Sequence, residues 1–529
     1  MATTAVHRRR LLREEITYSV AKEKEVNLLH RLQYPDQQAQ FFALLDDRRD
    51  WIQAVVAHHL SLKSPKNCHV ADKGDWLHGS FNVCIPVTLG RPRDLQRNKR
   101  ILLRIPLPYR IGEAFRPGNG DEKIRCEAAT YAWTEGNCPD VPIPKLYGFA
   151  ASTGETFTRL ENLPFLTRCI HRLRCWLRSL FRLPAPSCYI RNDSRHLMSC
   201  DKPPVGYVLV EYIDESKGTM LSDTWPTQHT CSELRTNFFR DLSRIFLSLA
   251  KIPFQKIGSF TIDNRGFLQH TNRPLSLGIQ DLENEEIPVD MPRDYTYSTT
   301  DSYVVDTLAY HDNRLQHQPN AINNLSDYIY QASALTAMRA IFPLFFRREL
   351  RRGPFFFTLT DLHQSNILVD KDWHITCLID LEWGCSLPAE MIQPPHWFTN
   401  KAVDQMDAAE YNNVRLEFMS ILGEEERALA KKDNRISSES MIVSTIMNQT
   451  WETGTFWFSL ALTSPTGLFS LFYKHIQPII TAKCPEHDAF HQIMPWYWTT
   501  DTVGIVRRKL ADKKDYDVRL RQAFGVSSE

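Results

Sequence analysis

The stretch FFFTLTDLHQSNILVDKDWHITCLIDLEWG, residues 355–384, alternates short apolar runs with polar turns. Its first run, Phe355–Leu359, is bulky and suits a buried strand. Two β-branched runs follow, at Ile367–Val369 and residues 375–379, and the polar turn between them predicts that they pair as a hairpin. The stretch therefore predicts a strand, a polar loop and a hairpin in close succession.

Three polar side chains stand at the ends of these predicted strands, namely Asp361, Asn366 and Asp380. Two carboxylates and one amide at the mouth of a hairpin form an oxygen-rich site for a hard cation such as Mg²⁺. One of the carboxylates then remains to orient a nucleophile. The spacing thus favours a cation-dependent site.

The loop DLHQSN, residues 361–366, followed by LIDLEW, residues 378–383, resembles the catalytic loop and metal-binding aspartate of the aminoglycoside phosphotransferase and choline kinase group. That group is a branch of the protein-kinase-like fold. The resemblance implies that Asp361 aligns an acceptor hydroxyl and that ATP supplies the phosphoryl group. It also implies that Asn366 and Asp380 hold the metal.

Two further features bear on this resemblance. The run PPHW, residues 394–397, looks like the loop that leads into the last helices of many fungal members. Leu359 occupies a position where the group usually has a histidine that braces the backbone. The alternative for residues 355–384 is a surface hairpin with ordinary turn acids, and the agreement in residue type and spacing favours the phosphotransferase site.

A short turn, Gly79-Ser80-Phe81-Asn82, precedes a predicted strand that reaches Val87. Gly79 lets backbone N–H groups approach phosphate oxygens, so the turn is expected to cover the phosphates of ATP. The resemblance implies a cation on the next strand and a carboxylate on the following helix, and the candidates are Arg104 and Glu127. The group usually has lysine in place of this arginine. The alternative is an exposed strand arginine and a solvated helix glutamate.

A strand at residues 205–210 leads into Glu211-Tyr212-Ile213. The resemblance implies that this tripeptide is the hinge between two lobes. Backbone groups of Glu211 and Ile213 would then bind the adenine edge. Long helices are predicted after the hinge, at residues 231–252, 303–315 and 325–345.

The segment from about residue 156 to 204 is an insert that a compact protein-kinase-like fold does not need. Its centre, residues 168–182, predicts a basic amphipathic helix with its apolar residues on one side. We expect this helix to pack over the preceding strands. The alternative is that it docks on an anionic membrane or on a partner protein.

Two polar or aromatic regions have open roles. Residues 274–298 predict a long acidic loop in which Asp281, Glu283 and Glu285 are solvated, with a cationic substrate as the alternative. The aromatic residues after Trp451 are expected to pack in the core. A cage for a quaternary ammonium group is the alternative, because choline-type substrates use one.

Composition restricts the class of protein. The 529 residues hold 63 Lys and Arg against 62 Asp and Glu, so a net charge of +1 argues against binding of nucleic acid or membrane by the chain as a whole. The 12 cysteines form no Cys-x-x-Cys pair, and no apolar signal segment precedes them. We expect reduced thiols, a cytoplasmic location and no stable membrane anchor. The first residues include four arginines, as a mitochondrial transit peptide does. Acidic residues follow closely, so we do not expect import into mitochondria.

The sequence therefore predicts an α+β, two-lobed protein-kinase-like fold with a small antiparallel-sheet lobe and a mostly helical lobe. The expected divisions are a helical extension at 1–60, a nucleotide-binding lobe at 61–210 and a catalytic and acceptor-binding lobe at 211–529. The expected activity is transfer of the γ-phosphoryl of ATP, with Mg²⁺, to a hydroxyl of a small molecule. The alternative is an inactive nucleotide-binding relative of the same fold. A protein kinase is disfavoured, because Leu381-Glu382 rather than Phe-Gly follows Asp380.

Overall fold

A computed structural model describes residues 8–90, 99–194, 205–432, 443–482 and 489–526. The last ten residues of the predicted insert, 195–204, lie outside this part of the chain. The fold mixes antiparallel sheets with helices, and most of the sheet residues precede residue 212. An antiparallel sheet early in the chain, followed by mainly helical structure, is as the sequence predicts.

The strands are short and are joined mostly by tight turns or single helices. They are β1 Arg8–Arg10, β2 Glu15–Thr17, β3 Cys68–Val70, β4 Leu77–His78, β5 Asn82–Leu89, β6 Arg100–Pro106, β7 Leu146–Ala150, β8 Thr156–Arg159, β9 Tyr189–Arg191, β10 Tyr207–Glu211, β11 Thr219–Met220, β12 Ser259–Ile262, β13 Leu268–Asn272, β14 Phe355–Leu359, β15 Ile367–Val369, β16 Ile375–Leu378 and β17 Gly384–Pro388.

The helices begin before the main sheet and dominate after it. They are α1 Tyr18–Lys22, α2 Leu28–Arg31, α3 Tyr34–Asp46, α4 Arg49–His59, α5 Asn119–Asn137, α6 Phe165–Leu180, α7 Leu221–Gln228, α8 Ser232–Leu249, α9 Leu277–Asn284, α10 Thr300–His317, α11 Leu325–Phe345, α12 Ala408–Lys432, α13 Val443–Thr453, α14 Thr455–Thr463, α15 Leu468–Leu471, α16 Gln477–Thr481, α17 Phe490–Ile493 and α18 Thr502–Ala523.

The largest sheet in the described part of the chain has eight strands in the order β3-β5-β6-β10-β7-β8-β9, with β4 also paired to β5. Alternate residues of its strands point to opposite faces, so one sheet contributes to two cores. Val83 and Leu103 pack with α4 on one face, while Val208 and Phe149 pack with α5 on the other. The sheet is thus held between the N-terminal helices and α5.

Helix α5 connects this sheet to the stretch at residues 355–384. It packs against β12 and against the short turn Leu381–Trp383. The hairpin β15–β16 forms as predicted, with Ile367 opposite Leu378. Strand β14 does not pair with the hairpin. It pairs with β17, and Phe355 lies opposite Pro388. The segment therefore contributes strands to two small sheets beside α5.

The first helices and the last helix of the described chain meet. Ile16 and Leu28 pack against Tyr516, Leu520 and Phe524 of the last helix in a small separate core. The apolar stretch at residues 456–472 forms the buried helices α14 and α15, which are separated at residues 464–467. Among the described residues, no helix has both the length and the apolar content needed to cross a bilayer.

Two predictions about surface segments are wrong. The expected acidic loop contains helix α9, and Glu283 is fully buried because it pairs with Arg273 at 2.7 Å and Arg116 at 3.1 Å. The insert does form helix α6, but its apolar side chains are exposed rather than packed over the strands.

The aromatic region after Trp451 divides in two. Phe456, Trp457 and Phe458 are buried in the main core, as expected. Trp496 and Tyr497 instead project into solvent.

Candidate functional site

The hairpin β15–β16 holds the loop at residues 360–366 against the turn that follows β16. The N–H of Ile379 donates to the carbonyl of Asn366 at 2.9 Å. Thr360 donates its N–H and its hydroxyl to the carbonyl of Trp383, at 3.1 and 2.8 Å. These bonds fix both ends of the loop beside the end of β16.

Within this loop, the side chain of Asn366 is bonded to Asp361. Its Nδ2 donates to the main-chain oxygen of Asp361 at 2.9 Å and to the carboxylate Oδ2 at 3.1 Å. The Oδ1 of Asn366 has a hydrogen-bond partner at 3.5 Å, the hydroxyl of Ser365. The amide therefore orients the carboxylate of Asp361 while its own oxygen is weakly engaged.

Asp380 follows the hairpin in the left-handed backbone region, with φ of 58°. Asp and Asn tolerate this region better than most residues do. The turn aims the Asp380 carboxylate at Arg104, with Oδ1 at 2.7 Å from Nη2. Its side chain keeps 39% of its surface exposed, so the carboxylate also faces solvent.

The pKa of Asp361 is raised to about 7. Burial is the largest cause, the carboxylates of Glu382 and Asp380 add to it, and the hydrogen bond from Asn366 opposes it. The carboxylates of Asp361, Asp380 and Glu382 thus lie close enough to influence one another.

Arg104 is buried at the centre of this region, on strand β6. Besides Asp380, its guanidinium contacts Glu127 Oε1 at 3.3 Å and Glu382 Oε2 at 3.1 Å. The strand and helix positions predicted from the sequence are therefore in contact, and both side chains are almost fully buried. The alternative of an exposed arginine and a solvated glutamate is wrong.

A second buried cation, Lys123, completes the cluster. Lys123 is paired with Glu382, and its Nζ donates to Asn82 Oδ1 at 2.8 Å. Asn82 in turn donates from Nδ2 to Glu382 Oε2 at 2.8 Å. We call Asn82, Arg104, Lys123, Glu127 and Glu382 the buried charge cluster.

Charge is distributed unevenly within the buried charge cluster. Burial alone would raise the pKa of Glu382, but Lys123 and Arg104 together hold it below its ordinary value. For Glu127 burial outweighs the attraction of Arg104, so its pKa is raised. Glu382 is thus the firmly ionised carboxylate, and it is the one that both cations contact.

The predicted phosphate turn lies at the edge of the same cluster. Gly79 donates its N–H to the carbonyl of Asn82 at 3.0 Å, and a β-carbon added at Gly79 would meet nothing within 4 Å. Phe81 is buried against Trp383, with ring centroids 5.5 Å apart. Arg110 donates to the carbonyl of Ser80 at 2.8 Å. The turn is open on its glycine side, and its role toward phosphates remains a prediction.

The predicted hinge begins at the end of β10. The N–H of Glu211 donates to the carbonyl of Lys145 at 2.8 Å, and its carboxylate accepts from Lys217 at 2.6 Å. Ile213 lies two residues beyond the strand and is half-buried. Binding of adenine by Glu211 and Ile213 stays a prediction.

A cavity of about 910 Å³ opens beside Asp361. Its walls come from α10, α11, residues 460–470 and the N-terminal residues 22–25. Polar side chains are in slight excess, among them Tyr303, His311, Arg314, Asp327 and Asp404. A second cavity, of about 210 Å³ and more apolar, reaches Asp361 from the side of Trp397. The candidate catalytic carboxylate therefore borders space large enough for a small molecule.

Comparisons with known proteins give little. No family model matches the chain, and no curated protein matches it. Among solved structures, an ethanolamine kinase from Plasmodium vivax is similar over 85% of this chain and 86% of that chain, at 12% identity and a TM-score of 0.34. At that score the two backbones agree too loosely to establish a shared fold.

Sequence reasoning missed Lys123 and the structural role of Glu382. Lys123 stands four residues before Glu127, a spacing that places both on one face of a helix. Glu382 stands two residues after Asp380, in the tripeptide already singled out for other reasons. Both signals were present, but neither reveals its partner without the tertiary contact.

Proposed function

We propose that this protein is an ATP- and Mg²⁺-dependent phosphotransferase that moves the γ-phosphoryl of ATP to a hydroxyl of a small molecule. The observation that carries this proposal is the meeting of Asp361, Asn366 and Asp380 beside a buried arginine–glutamate pair. Such a set combines a carboxylate for the acceptor hydroxyl with oxygen ligands for a hard cation.

Asp361 would bind the acceptor hydroxyl and take up its proton as the new oxygen–phosphorus bond forms. The hydrogen bonds from Asn366 to the backbone and carboxylate of Asp361 keep that carboxylate in one orientation. The cavity of about 910 Å³ beside Asp361 would hold the rest of the acceptor. Its walls combine polar and apolar side chains, with the polar ones in slight excess, which suits a substrate with several hydrogen-bonding groups.

The donor set fits magnesium. Asn366 Oδ1 has one weak contact, and the Asp380 carboxylate is partly open to solvent. Both are hard oxygen ligands of the kind that Mg²⁺ binds through a few protein groups and several waters. When bound, the ion would neutralise phosphate charge. Arg104, paired with Glu127, would lie on the phosphate side, with Gly79 to Asn82 as the cover.

The proposal extends to a two-lobed protein-kinase-like arrangement with its division near residue 210 and its adenine site at Glu211 to Ile213. It places the protein with the aminoglycoside phosphotransferase and choline kinase group, in a cytoplasmic setting. The packing of helix α5 on the main sheet supports this arrangement, because Arg104 on β6 and Glu127 on α5 then lie on adjacent elements.

A second candidate function is nucleotide binding without turnover. The observation that favours it is the ion pair between Arg104 and Asp380 at 2.7 Å, because a carboxylate held by a guanidinium is a poorer metal ligand. Phosphotransfer would then require Asp380 to exchange Arg104 for the cation.

Nucleotide binding and turnover can be separated with the purified chain. We expect MgATP to raise the unfolding temperature, and we expect ADP release with at least one member of a panel of hydroxyl metabolites. Asp380→Asn should weaken the stabilisation by MgATP but not that by nucleotide without metal. Stabilisation by MgATP with no ADP release on any acceptor would favour the second function. Absence of any stabilisation would contradict both.

A further inference from the structure

Helix α6, Phe165–Leu180, turns its apolar side toward solvent. Leu166 is 73% exposed, Ile170 67% and Phe181, just after the helix, 72%. The remaining large apolar side chains of this surface are also exposed, namely Phe165, Leu173, Trp176, Leu177, Leu180 and Leu183. We call these nine side chains the apolar face of α6. None of the residues that the structure describes covers it.

The polar side of the same helix packs on the protein. His171 is the buried residue of α6, and Cys175 Sγ lies 3.4 Å from its Nε2. The guanidinium groups of Arg174 and Arg178 lie over the ring of Phe267, at 5.4 and 5.0 Å from its centroid. The helix is therefore oriented opposite to a surface helix of an ordinary globular protein, which buries its apolar stripe.

An apolar surface of this size on a folded chain marks an interaction site. The helix cannot be a membrane span, because its opposite side is rich in arginine and only 16 residues form it. Its amphipathic pattern is that of helices that lie in the plane of a bilayer, with aromatic and leucine side chains below and arginines at the level of the headgroups.

Charge selects the occupant. Between Glu161 and Asp193 the sequence has six arginines, at 168, 172, 174, 178, 182 and 191, and no acidic residue. Arg172 and Arg182 are exposed beside the apolar face. A second copy of the chain docked on the same face would bring these arginines together without a compensating acid. Anionic lipid headgroups compensate them.

We propose that the apolar face of α6 docks this protein on an anionic phospholipid bilayer. The apolar face would enter the boundary between headgroups and acyl chains, while the exposed arginines bind lipid phosphates and carboxylates. The contacts of His171, Arg174 and Arg178 with the protein body fix the helix with that face outward. Binding is peripheral and reversible, and it is independent of the phosphotransfer chemistry.

Vesicle flotation of the full chain tests this proposal. We expect the protein to float with vesicles of phosphatidylcholine and phosphatidylserine at 70:30, and to stay in solution with phosphatidylcholine alone. Raising the salt concentration should weaken the binding, because salt screens the attraction between the arginines and the anionic headgroups. Quenching of tryptophan fluorescence by brominated acyl chains should appear on binding and be lost in Trp176→Phe.

Two sets of substitutions separate the apolar and the charged contributions. Leu173→Glu with Trp176→Glu should abolish flotation. Arg172→Gln with Arg182→Gln should weaken it about 25-fold, at about fivefold for each arginine. Leu416→Glu and Arg519→Gln are matched controls, because both side chains are exposed on other helices and should leave flotation unchanged.

The proposal is overturned if the protein fails to float with anionic vesicles, or if the Leu173 and Trp176 variant floats as well as the native chain. It is also overturned if sedimentation shows a dimer that becomes a monomer in that variant, while neither form binds vesicles. All of the substituted side chains are exposed, so each variant should unfold at the native temperature and each comparison remains interpretable.

Discussion

Arg104 joins three carboxylates from two parts of the chain, Glu127 on α5 and the pair Asp380 and Glu382 after β16, and it lies within the sheet with almost no exposed surface. A buried cation of this kind contributes mainly through what its removal leaves behind, namely carboxylates without a counter-charge. The same residue stands where the phosphotransferase group usually has lysine. Its planar group can contact Glu127, Glu382 and Asp380 together, which a single ammonium does less well.

Replacing Arg104 with methionine should therefore destabilise the fold. We expect Arg104→Met to lower the free energy of unfolding by about 3 kcal/mol, because Glu127 and Glu382 lose a buried partner. Arg100→Met, four residues earlier on β6, is the control, since Arg100 makes an exposed ion pair with Asp214 and should cost less than about 1 kcal/mol. Urea denaturation of both variants makes the comparison. Equal losses would contradict the central position assigned to Arg104.

His311 offers a test of burial through pH. Burial lowers the pKa of His311 to about 4, and Arg314 further disfavours the charged ring. The carbonyl of Leu462 accepts the Nε2–H at 2.8 Å, and this hydrogen bond opposes the shift. The unfolded chain, with an ordinary histidine, binds the proton more readily, so stability falls as pH drops from about 6.5 toward 4.

The histidine contribution should amount to about 1.4 kcal/mol lost between pH 7.5 and 5.5. We expect His311→Gln to remove that part of the pH dependence of unfolding, because glutamine does not titrate. His78→Gln, at an exposed position, serves as the control and should retain the native slope. If the His311 variant keeps the full slope, the ring is not buried in its neutral form.

At the scale of single residues, the sequence was sufficient to predict site residues that lie near one another in the chain. Asp361, Asn366 and Asp380 follow from strand ends within one short stretch. Lys123 and Glu382 could not be predicted as partners, because 259 residues separate them and their pairing depends on how α5 lies against the hairpin.

The contact between α5 and the turn after β16 is the element-level support of the site. Gly384 stands at this contact, and a β-carbon there would meet Thr130 Oγ1 at 2.6 Å and Phe357 Cζ at 2.7 Å. Thr130 belongs to α5 and Phe357 to β14, so the absence of a side chain at Gly384 lets helix and strand approach. Asp380 and Glu382 depend on this approach.

Gly384→Ala should separate these elements. We expect a loss of about 1–3 kcal/mol from overpacking and weaker stabilisation by MgATP, because Asp380 and Glu382 would shift. Gly423→Ala is the matched control, since a β-carbon at Gly423 in α12 meets nothing within 4 Å. That variant should be as stable as the native chain or slightly more so. Thermal unfolding with and without MgATP distinguishes the two.

Elements were easier to predict than their orientation. Strands β14 and β15 were predicted with their observed bounds, because bulky and β-branched runs end at clear polar turns. The pattern of α6 also predicted an amphipathic helix, yet not which side faces the protein. Packing on Phe267 decides that, and Phe267 lies about 90 residues away in the chain. The segment that forms helix α9 was predicted as a loop because its acidic residues suggested exposure to solvent. Arg273 and Arg116 pair with Glu283, and these partners are distant enough in the chain that the sequence pattern did not reveal them.

At the scale of the whole molecule, the N-terminal segment closes one wall of the candidate acceptor cavity, and helix α18 packs on that segment. Residues 22–25 line that cavity, and Leu28 nearby donates its N–H to the hydroxyl of Tyr516 at 3.0 Å. Asn320, in the cavity wall, donates to the carbonyl of Val26 at 3.0 Å. The N-terminal segment and helix α18 therefore form one unit with the cavity wall.

Removing apolar contacts from this unit should loosen both ends together. Leu520 is fully buried, and we expect Leu520→Ala to cost about 2–4 kcal/mol. Amide hydrogen exchange should rise in α18 and also in residues 16–32, since both depend on the same small core. Leu510→Ala, a more exposed position in α18, should change neither segment. Faster exchange confined to α18 would contradict the shared core.

Asp361 is the residue on which the proposed phosphotransfer depends, and the rate of ADP release in the presence of an acceptor tests its role most directly. We predict that Asp361→Asn lowers this rate by about a hundredfold or more, while the affinity for MgATP stays within about twofold of native. Asp372→Asn, an exposed aspartate in the turn of the same hairpin, should keep the native rate. Asp361→Asn turning over at the native rate would contradict the phosphotransferase site proposed for residues 355–384.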